Sequence, residues 1–161
     1  MKLHHIAVAA LAVTVAGPAS ADLLARKDLS LATSLTIATT AIEQCKTNGY
    51  QVSATVVGRT GEVILQLRGD NTGPHTMENS MKKAYTSRTF RVPSGEIAER
   101  LKANPLLPLI HLSNVVAAQG ALPIKVGEDV IGAIGVSGAP GGEKDEVCAK
   151  AGIDKVAAEL K

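Results

Sequence analysis

The sequence has 161 residues, of which 45% are hydrophobic, and carries a formal net charge of +2. This length allows one core of ordinary size to form without structural metals. Only three aromatic residues are present, Tyr50, Tyr85 and Phe90, and the charges are interspersed along the chain. Nucleic-acid binding is therefore excluded, because it requires a basic face and aromatic platforms on which bases stack.

The first 21 residues have the three-part pattern of a secretory signal peptide. Lys2 precedes an uncharged apolar run at 6–15, which is shorter than the roughly 20 residues that a transmembrane helix needs. Gly17-Pro18 and the small residues 19–21 follow, as expected before a cleavage site. We therefore expect a mature chain, residues 22–161, without a membrane span, in the periplasm or outside the cell. The alternative is a buried N-terminal helix.

The sequence contains two cysteines, Cys45 and Cys148. An oxidising compartment preserves disulfides, and each cysteine falls in a segment that is predicted to be helical. A bridge between them would close a loop of about 100 residues, which favours stability. Two separate buried thiols are the alternative. Structural zinc is not expected, because the chain has no CxxC pair and no second Cys/His cluster.

The first half of the mature chain predicts a helix, a β-hairpin and two further helices. Apolar residues recur every three or four positions in the first helix, and Gly49 follows its end. Two β-rich runs are joined by the turn 58–61. The predicted elements are a helix at 29–48, strands at 52–57 and 63–68, and helices at 75–87 and 94–102.

The second half predicts an irregular apolar connection at 103–112, a second hairpin and a last helix. The hairpin strands are expected at 122–126 and 130–137, with a possible further strand at 115–118, and the helix at 143–160. Strands joined mostly by hairpins predict an α+β fold with an antiparallel sheet. No repeat or linker interrupts this order, so residues 22–161 are expected to form one domain.

His75 is the residue that best suits a ligand-binding role. It follows Gly73-Pro74 at the start of a predicted helix, after a polar loop, and loops on a rigid scaffold commonly carry binding groups. A helix-start residue bonded to backbone is the plainer interpretation. His111 lies among leucines, where a packed or interfacial histidine is favoured.

The helix that follows His75 carries further candidates. Met81 and Tyr85 are four residues apart and share a face, and imidazole, phenolate and thioether groups are all kinds of axial haem ligand. Cations near them would pair with the propionates of haem, and the candidates are Arg68, Lys82 and Lys83. The alternative is a core position for Met81 and Tyr85 and a solvated face for the lysines. Common catalytic signatures such as GxSxG, HExxH and the P-loop are absent.

Several short segments, taken in order, resemble the GlcG/HbpS-like haem-binding family over nearly the whole mature chain. They are CKTNGYQVS at 45–53, LRGD at 67–70, GPHT at 73–76, KAYT at 83–86, LPI at 122–124 and IGAIGVSG at 131–138, with Asp145, Glu146 and Cys148. The chain departs from the family at two places. At Gly58 the family commonly has an aspartate, and at 118–122 it often has a run of glycines, of which this chain keeps only one. Functions that need that carboxylate or a tight turn there are not expected.

The resemblance implies a profilin-like domain with an antiparallel five-stranded sheet flanked by helices, assembled as a homo-oligomer. It also implies haem as the ligand. We therefore expect an exported haem-binding protein, in haem or iron handling, with His75 as the iron ligand. Two alternatives stay open. One is an enzyme that degrades haem or transforms another small molecule, in which Tyr85 and His111 are the available polar groups. The other is a structural or sensory module that binds a non-haem organic ligand or a partner protein.

Overall fold

The computed structural model describes residues 22–161; the predicted signal peptide lies outside them. The elements are α1 (Leu31–Thr47), β1 (Ser53–Val57), β2 (Val63–Arg68), α2 (Thr76–Phe90), α3 (Ser94–Ala103), a 3₁₀ turn (Pro108–His111), β3 (Ala121–Val126), β4 (Asp129–Ser137) and α4 (Gly142–Lys155). Within this range none of the helices combines the length and the apolar character that crossing a bilayer requires.

Local signals explain where α1 begins and ends. The Ser30 hydroxyl accepts a hydrogen bond from the Thr33 amide at 3.1 Å, which is the usual N-cap arrangement. At the other end Gly49 adopts φ 83°, which glycine reaches without strain. The sequence predicted both limits to within two residues.

The four strands form one antiparallel sheet in the order β2-β1-β4-β3. The central strands β1 and β4 pair with each other, and each also pairs with its own hairpin partner. The α+β class and the antiparallel pairing are confirmed, whereas the expectation of five strands is wrong for the described residues.

The possible strand at 115–118 does not join the sheet, and two of its backbone amides have acceptors outside the sheet. The Val116 amide donates to the Thr86 hydroxyl of α2 at 2.9 Å, and the Val115 amide donates to the Leu112 carbonyl. Because these two amides are already hydrogen-bonded, they do not donate to a neighbouring strand. The last helix is also shorter than expected, since α4 ends at Lys155 and tighter turns follow to Glu159.

One face of the sheet packs against α1 and α4 and holds the main core. Alternate residues of β1 and β4 point to this face, and they are fully buried: Ala54, Val56, Ile134 and Val136. Cys45 of α1 and Cys148 of α4 form a disulfide here, with a Cα–Cα distance of 5.5 Å. The structure therefore has the bridge and not the two separate thiols.

The opposite face packs against α2 and is mostly polar. Ser53 donates or accepts across a 2.8 Å hydrogen bond with Thr76, and Thr55 does the same with Ser80. Gly135 leaves the room that α2 needs, because a Cβ atom there would lie 2.2 Å from the Ser80 carbonyl oxygen. The helix thus rests directly on the sheet backbone.

Candidate functional site

His75 is the N-cap residue of α2 and is exposed. Its side chain makes no cap hydrogen bond, and no other hydrogen bond to its imidazole occurs among residues 22–161. The ring folds over Gly73: a Cβ atom on Gly73 would lie 2.9 Å from Cε1 and 3.0 Å from Nδ1 of His75. The imidazole is therefore accessible, and the glycine makes the space in which it sits.

Arg68 fixes the loop that leads to His75. Its guanidinium donates to the Thr72 carbonyl at 2.9 Å and to the Thr72 hydroxyl at 3.2 Å. The Thr72 hydroxyl in turn donates to the Gly69 carbonyl, and the Gly69 amide donates to Val52. These bonds hold both ends of the loop against the sheet, so His75 stands on a defined turn and Arg68 belongs to the same end of the molecule.

A cleft of about 570 Å³ opens beside this loop, on the α1 side of the sheet. Arg68 lies in its wall, together with the aromatic ring of Tyr50, over which the Lys144 ammonium lies 5.5 Å from the ring centre. This volume is within the range of small-molecule sites. The lining residues are Ile42, Glu43, Lys46, Gly49, Tyr50, Gln51, Val52, Leu67, Arg68, Gly69, Asp70 and Asn71.

Met81 and Tyr85 share a face of α2, but both lie well beyond His75 along the helix axis. Tyr85 lies ten positions beyond His75, which is about 15 Å along the helix axis, and Met81 lies six positions beyond it, about 9 Å. The Tyr85 ring packs against Gly61 in the β1–β2 turn, where a Cβ atom on that glycine would lie 2.9 Å from Cε2. The structure therefore does not bring Tyr85 to His75.

The two lysines of α2 point to different environments. Lys82 is partly exposed, and its ammonium pairs with Glu78 at 2.6 Å on the helix surface. Lys83 is buried, and its ammonium lies 2.8 Å from Asp145 of α4 and 3.1 Å from the Val136 carbonyl. Lys83 therefore joins two layers of the fold and is not available to a ligand at the surface.

Burial raises the pKa of the Asp145 carboxyl above its ordinary value, and the charge and hydrogen bond of Lys83 oppose that rise. The other carboxylate oxygen of Asp145 accepts from the Ala139 amide at 3.0 Å. Sequence reasoning missed this pair, because 62 residues separate its members and neither position carries a local signal.

The groups at the start of α2 fit haem in the chemistry of their donors. A neutral imidazole is a common axial ligand of haem iron, and the His75 imidazole is exposed and unbonded within the described residues. A guanidinium recognises carboxylates such as propionates, and Arg68 provides one close to the loop. Among residues 22–161 no cluster of three or more His, Cys, Asp and Glu residues would hold a bare metal ion.

Comparison with known families identifies the chain. The model of a family described as "Haem degrading protein HbpS-like" matches residues 29–154. The chain belongs to this HbpS-like family. The resemblance expected from the sequence is thereby confirmed.

Solved structures agree with this assignment. A double mutant of HbpS from Streptomyces reticuli is 32% identical, with a TM-score of 0.79 over 89% of this chain and 99% of that one. The PduOC:haem complex is 21% identical, with a TM-score of 0.73 over 80% of this chain and 94% of that one, and at this identity it shows the fold alone. An uncharacterised 15.0 kDa protein of Citrobacter freundii, from the dhaT–dhaS intergenic region, is 32% identical over 102 residues. These are 62% of this chain and 71% of that protein.

Proposed function

We propose that this HbpS-like protein is exported, binds haem, and holds the iron through His75. Family membership over residues 29–154 carries the haem assignment. The choice of His75 rests on its exposed imidazole, which has no hydrogen-bond partner within the described residues. Bound haem would supply a redox-active iron, and the residues of the chain would set how it is held.

Each residue near His75 has a distinct role in this proposal. His75 provides the axial nitrogen, and Gly73 leaves space for its ring. Arg68, fixed by Thr72, pairs with one propionate; Lys82, at the surface of α2, is available to the other once its pair with Glu78 opens. Met81 is a thioether six residues beyond His75 on the same helix, one turn beyond Met77. Tyr85 and Lys83 have no part, since one lies at the far end of α2 and the other is paired with Asp145.

The test is a haemin titration of the purified protein, followed by absorbance from the Soret to the visible bands. We expect saturable binding, with a ligated spectrum that His75→Ala shifts or abolishes. His111→Ala is the matched control, because it removes the other exposed histidine of the described chain and leaves the site intact. A wild-type spectrum in His75→Ala would overturn the ligand, and unsaturable binding by the wild type would overturn the haem proposal.

The description of the family supports a second candidate, haem degradation. Breakdown of the porphyrin needs dioxygen as oxidant and a reductant, for which ascorbate serves in the assay. The candidate predicts that iron is released from the complex faster than from free haemin under the same conditions. Equal rates would leave binding as the activity.

Export and assembly are proposed on the sequence pattern and on the resemblance. The first predicts that the protein recovered outside the cytoplasm begins at Asp22, which N-terminal sequencing would test. Recovery of an unprocessed chain in the cytoplasm would contradict it.

The proposal of assembly predicts a homo-oligomer, and light scattering that gives the mass of one chain would contradict that.

A further inference from the structure

β2 is an edge strand of the sheet, and one of its sides is unpaired. It pairs with β1 and with no other strand among residues 22–161. The Gly69 amide donates to the Val52 carbonyl at 3.1 Å, and the bonds of an antiparallel ladder alternate along a strand. The backbone groups of Gln66 and Arg68 therefore face away from β1, and they have no backbone partner in the described part of the chain. An edge of this kind is a template for a further strand.

The other edge of the sheet, β3, is protected in a way that β2 is not. β3 contains Pro123, which has no amide hydrogen, and its register shifts between Ile124 and Lys125. A proline, a lysine and a bulge all discourage the addition of a strand. The sequence of β2 is VILQLR, which has neither proline nor lysine. Strand addition is therefore favoured at β2 and not at β3.

α1 has an uncharged apolar flank on the same side of the molecule. Residues 31–42 contain no charged side chain. Leu31, Leu35 and Ile42 are spaced by four and seven residues, so they lie on one side of the helix, and the first two are 63% and 46% exposed. Ile42 lines the same cleft as Leu67 of β2, so this flank faces β2. The solvent side of a helix usually carries charged and polar residues, so the flank is suited to a partner and not to water.

The side chains of β2 continue this apolar surface. Val63 is 49% exposed, and Leu65 and Leu67 are half-buried against the main core. Gln66 between the two leucines points to the opposite face, where its amide donates to the Met77 carbonyl. Exposed apolar surfaces of this kind mark interaction sites in soluble proteins. We call the surface the apolar strip; it consists of Leu31, Leu35, Ile42, Val63, Leu65 and Leu67.

We propose that the apolar strip and the edge of β2 bind a second copy of this chain across a twofold axis. The inference rests on the homo-oligomer proposed above and assigns the surface that forms it. Two β2 strands pair antiparallel and join the two sheets into one of eight strands, while the two α1 helices pack flank to flank beside them. A partner must supply an unpaired strand and an uncharged helix flank in the same relative position, and a second copy supplies both.

The charges at the two ends of β2 fit an antiparallel partner. Exposed Glu62 precedes the strand, and exposed Arg68 ends it. Antiparallel pairing brings the start of one β2 beside the end of the other, so opposite charges meet, whereas parallel pairing would bring like charges together. The pairing occupies both β2 edges and leaves only the protected β3 edges free. It therefore closes on two chains and does not continue into a fibre.

Light scattering after size-exclusion chromatography of the purified protein tests the surface. We expect the wild type to have the mass of two chains or of a larger even number. Leu35→Lys and Val63→Lys should each halve that mass at the same concentration, because association would bury an unpaired ammonium group. Leu112→Lys is the matched control, since Leu112 is also 49% exposed but lies outside the apolar strip, and it should leave the mass unchanged. Circular dichroism verifies that each variant is folded.

Hydrogen exchange tests the same surface in the unaltered protein. We expect the amides of Gln66 and Arg68 to exchange about tenfold more slowly in the associated protein than after dilution that separates the chains. Rapid exchange of both amides in the associated protein would overturn the proposal. So would an equal loss of mass in Leu112→Lys.

The outcomes separate this surface from the functions proposed above. An oligomer whose mass neither strip variant changes would overturn the surface and leave the homo-oligomer standing, whereas a wild-type mass of one chain would overturn both. Neither variant alters His75 or Arg68, so haemin titration reports on the haem proposal independently.

Discussion

The two faces of the sheet hold their helices by different means. The face under α1 and α4 is lined by valine, isoleucine and alanine side chains and is closed by the Cys45–Cys148 disulfide. The face under α2 is lined by hydroxyl groups and glycine, with only a small apolar cluster of Val57, Ala84 and Ala133. Apolar packing is non-directional, whereas hydrogen bonds fix the position of a helix.

This difference suits the position of the proposed haem site, which lies at the start of α2. A helix held by directional bonds and by backbone contact at Gly135 presents His75 at a defined place. The apolar face holds most of the buried hydrophobic residues and therefore most of the hydrophobic stabilisation. Five predictions test this division of roles, from the largest expected effect to the smallest.

Loss of the disulfide should have the largest effect. The bridge joins residues 103 apart, and the loop-entropy relation for a ring of this size gives about 4.7 kcal/mol. We expect Cys45→Ala/Cys148→Ala to lower the free energy of unfolding by about 4 kcal/mol, measured by urea denaturation. Reduction of the wild type with dithiothreitol is the matched control. A loss below about 1 kcal/mol would show that the apolar face does not depend on its covalent link.

Removal of one member of the Lys83–Asp145 pair should be nearly as damaging. Lys83→Met leaves a buried carboxylate without its counter-charge, which costs about 3 to 5 kcal/mol. The double variant Lys83→Met/Asp145→Leu should recover most of that loss, because no charge remains to be compensated. If the double variant were as unstable as the single one, the link between the layers would depend on shape and not on charge.

The same single variant gives a pH prediction with a definite sign. An acid whose pKa is raised on folding favours the folded state most when it is protonated, and this contribution disappears as the pH rises through the raised pKa. Without Lys83 nothing but the Ala139 amide opposes the effect of burial on Asp145. The destabilisation of Lys83→Met should therefore shrink as the pH falls from neutral through that pKa, in denaturation curves at several pH values.

Gly135→Ala tests the close approach of α2 to the sheet. The added Cβ atom would lie 2.2 Å from the Ser80 carbonyl oxygen and 2.6 Å from the Ala84 amide nitrogen, and both are backbone atoms. We expect a loss of about 2 kcal/mol from overpacking. Gly127→Ala is the control for glycine replacement without a contact, although its φ of 59° adds some strain. Equal losses in the two variants would mean that contact with α2 is unimportant.

Thr55→Val should have the smallest effect. The change keeps the shape of the side chain but removes the hydroxyl that bonds to Ser80 and accepts from Gln66 at 2.8 Å. We expect a loss of about 1 kcal/mol, together with faster hydrogen exchange in α2 than in α1. Ile134→Val on the apolar face is the matched control, and it should leave exchange in α2 unchanged. Faster exchange in both variants would contradict the distinction between the faces.

Much of the fold was predictable because its elements have local causes. The periodicity of α1, the Ser30 cap and Gly49 determine one helix, and the turn at 58–61 determines the first hairpin. His75 and Arg68 were identified as candidates from their positions at the loop, and the structure places both at one end of the sheet. The sequence suggested that Tyr85 lies close to His75, because it shares a helix face with Met81. It does not, because residues on one face are still separated by the helical rise between them.

The sequence by itself determined the class of fold, the order of the elements and the family, because these depend on patterns within some twenty residues and on their order along the chain. Only the tertiary structure decided that the sheet has four strands among the described residues and that Lys83 pairs with Asp145. Each of these depends on which groups meet across the sheet or around its edge. A hydrogen-bond donor has many chemically equivalent partners in a sequence, and packing alone selects one.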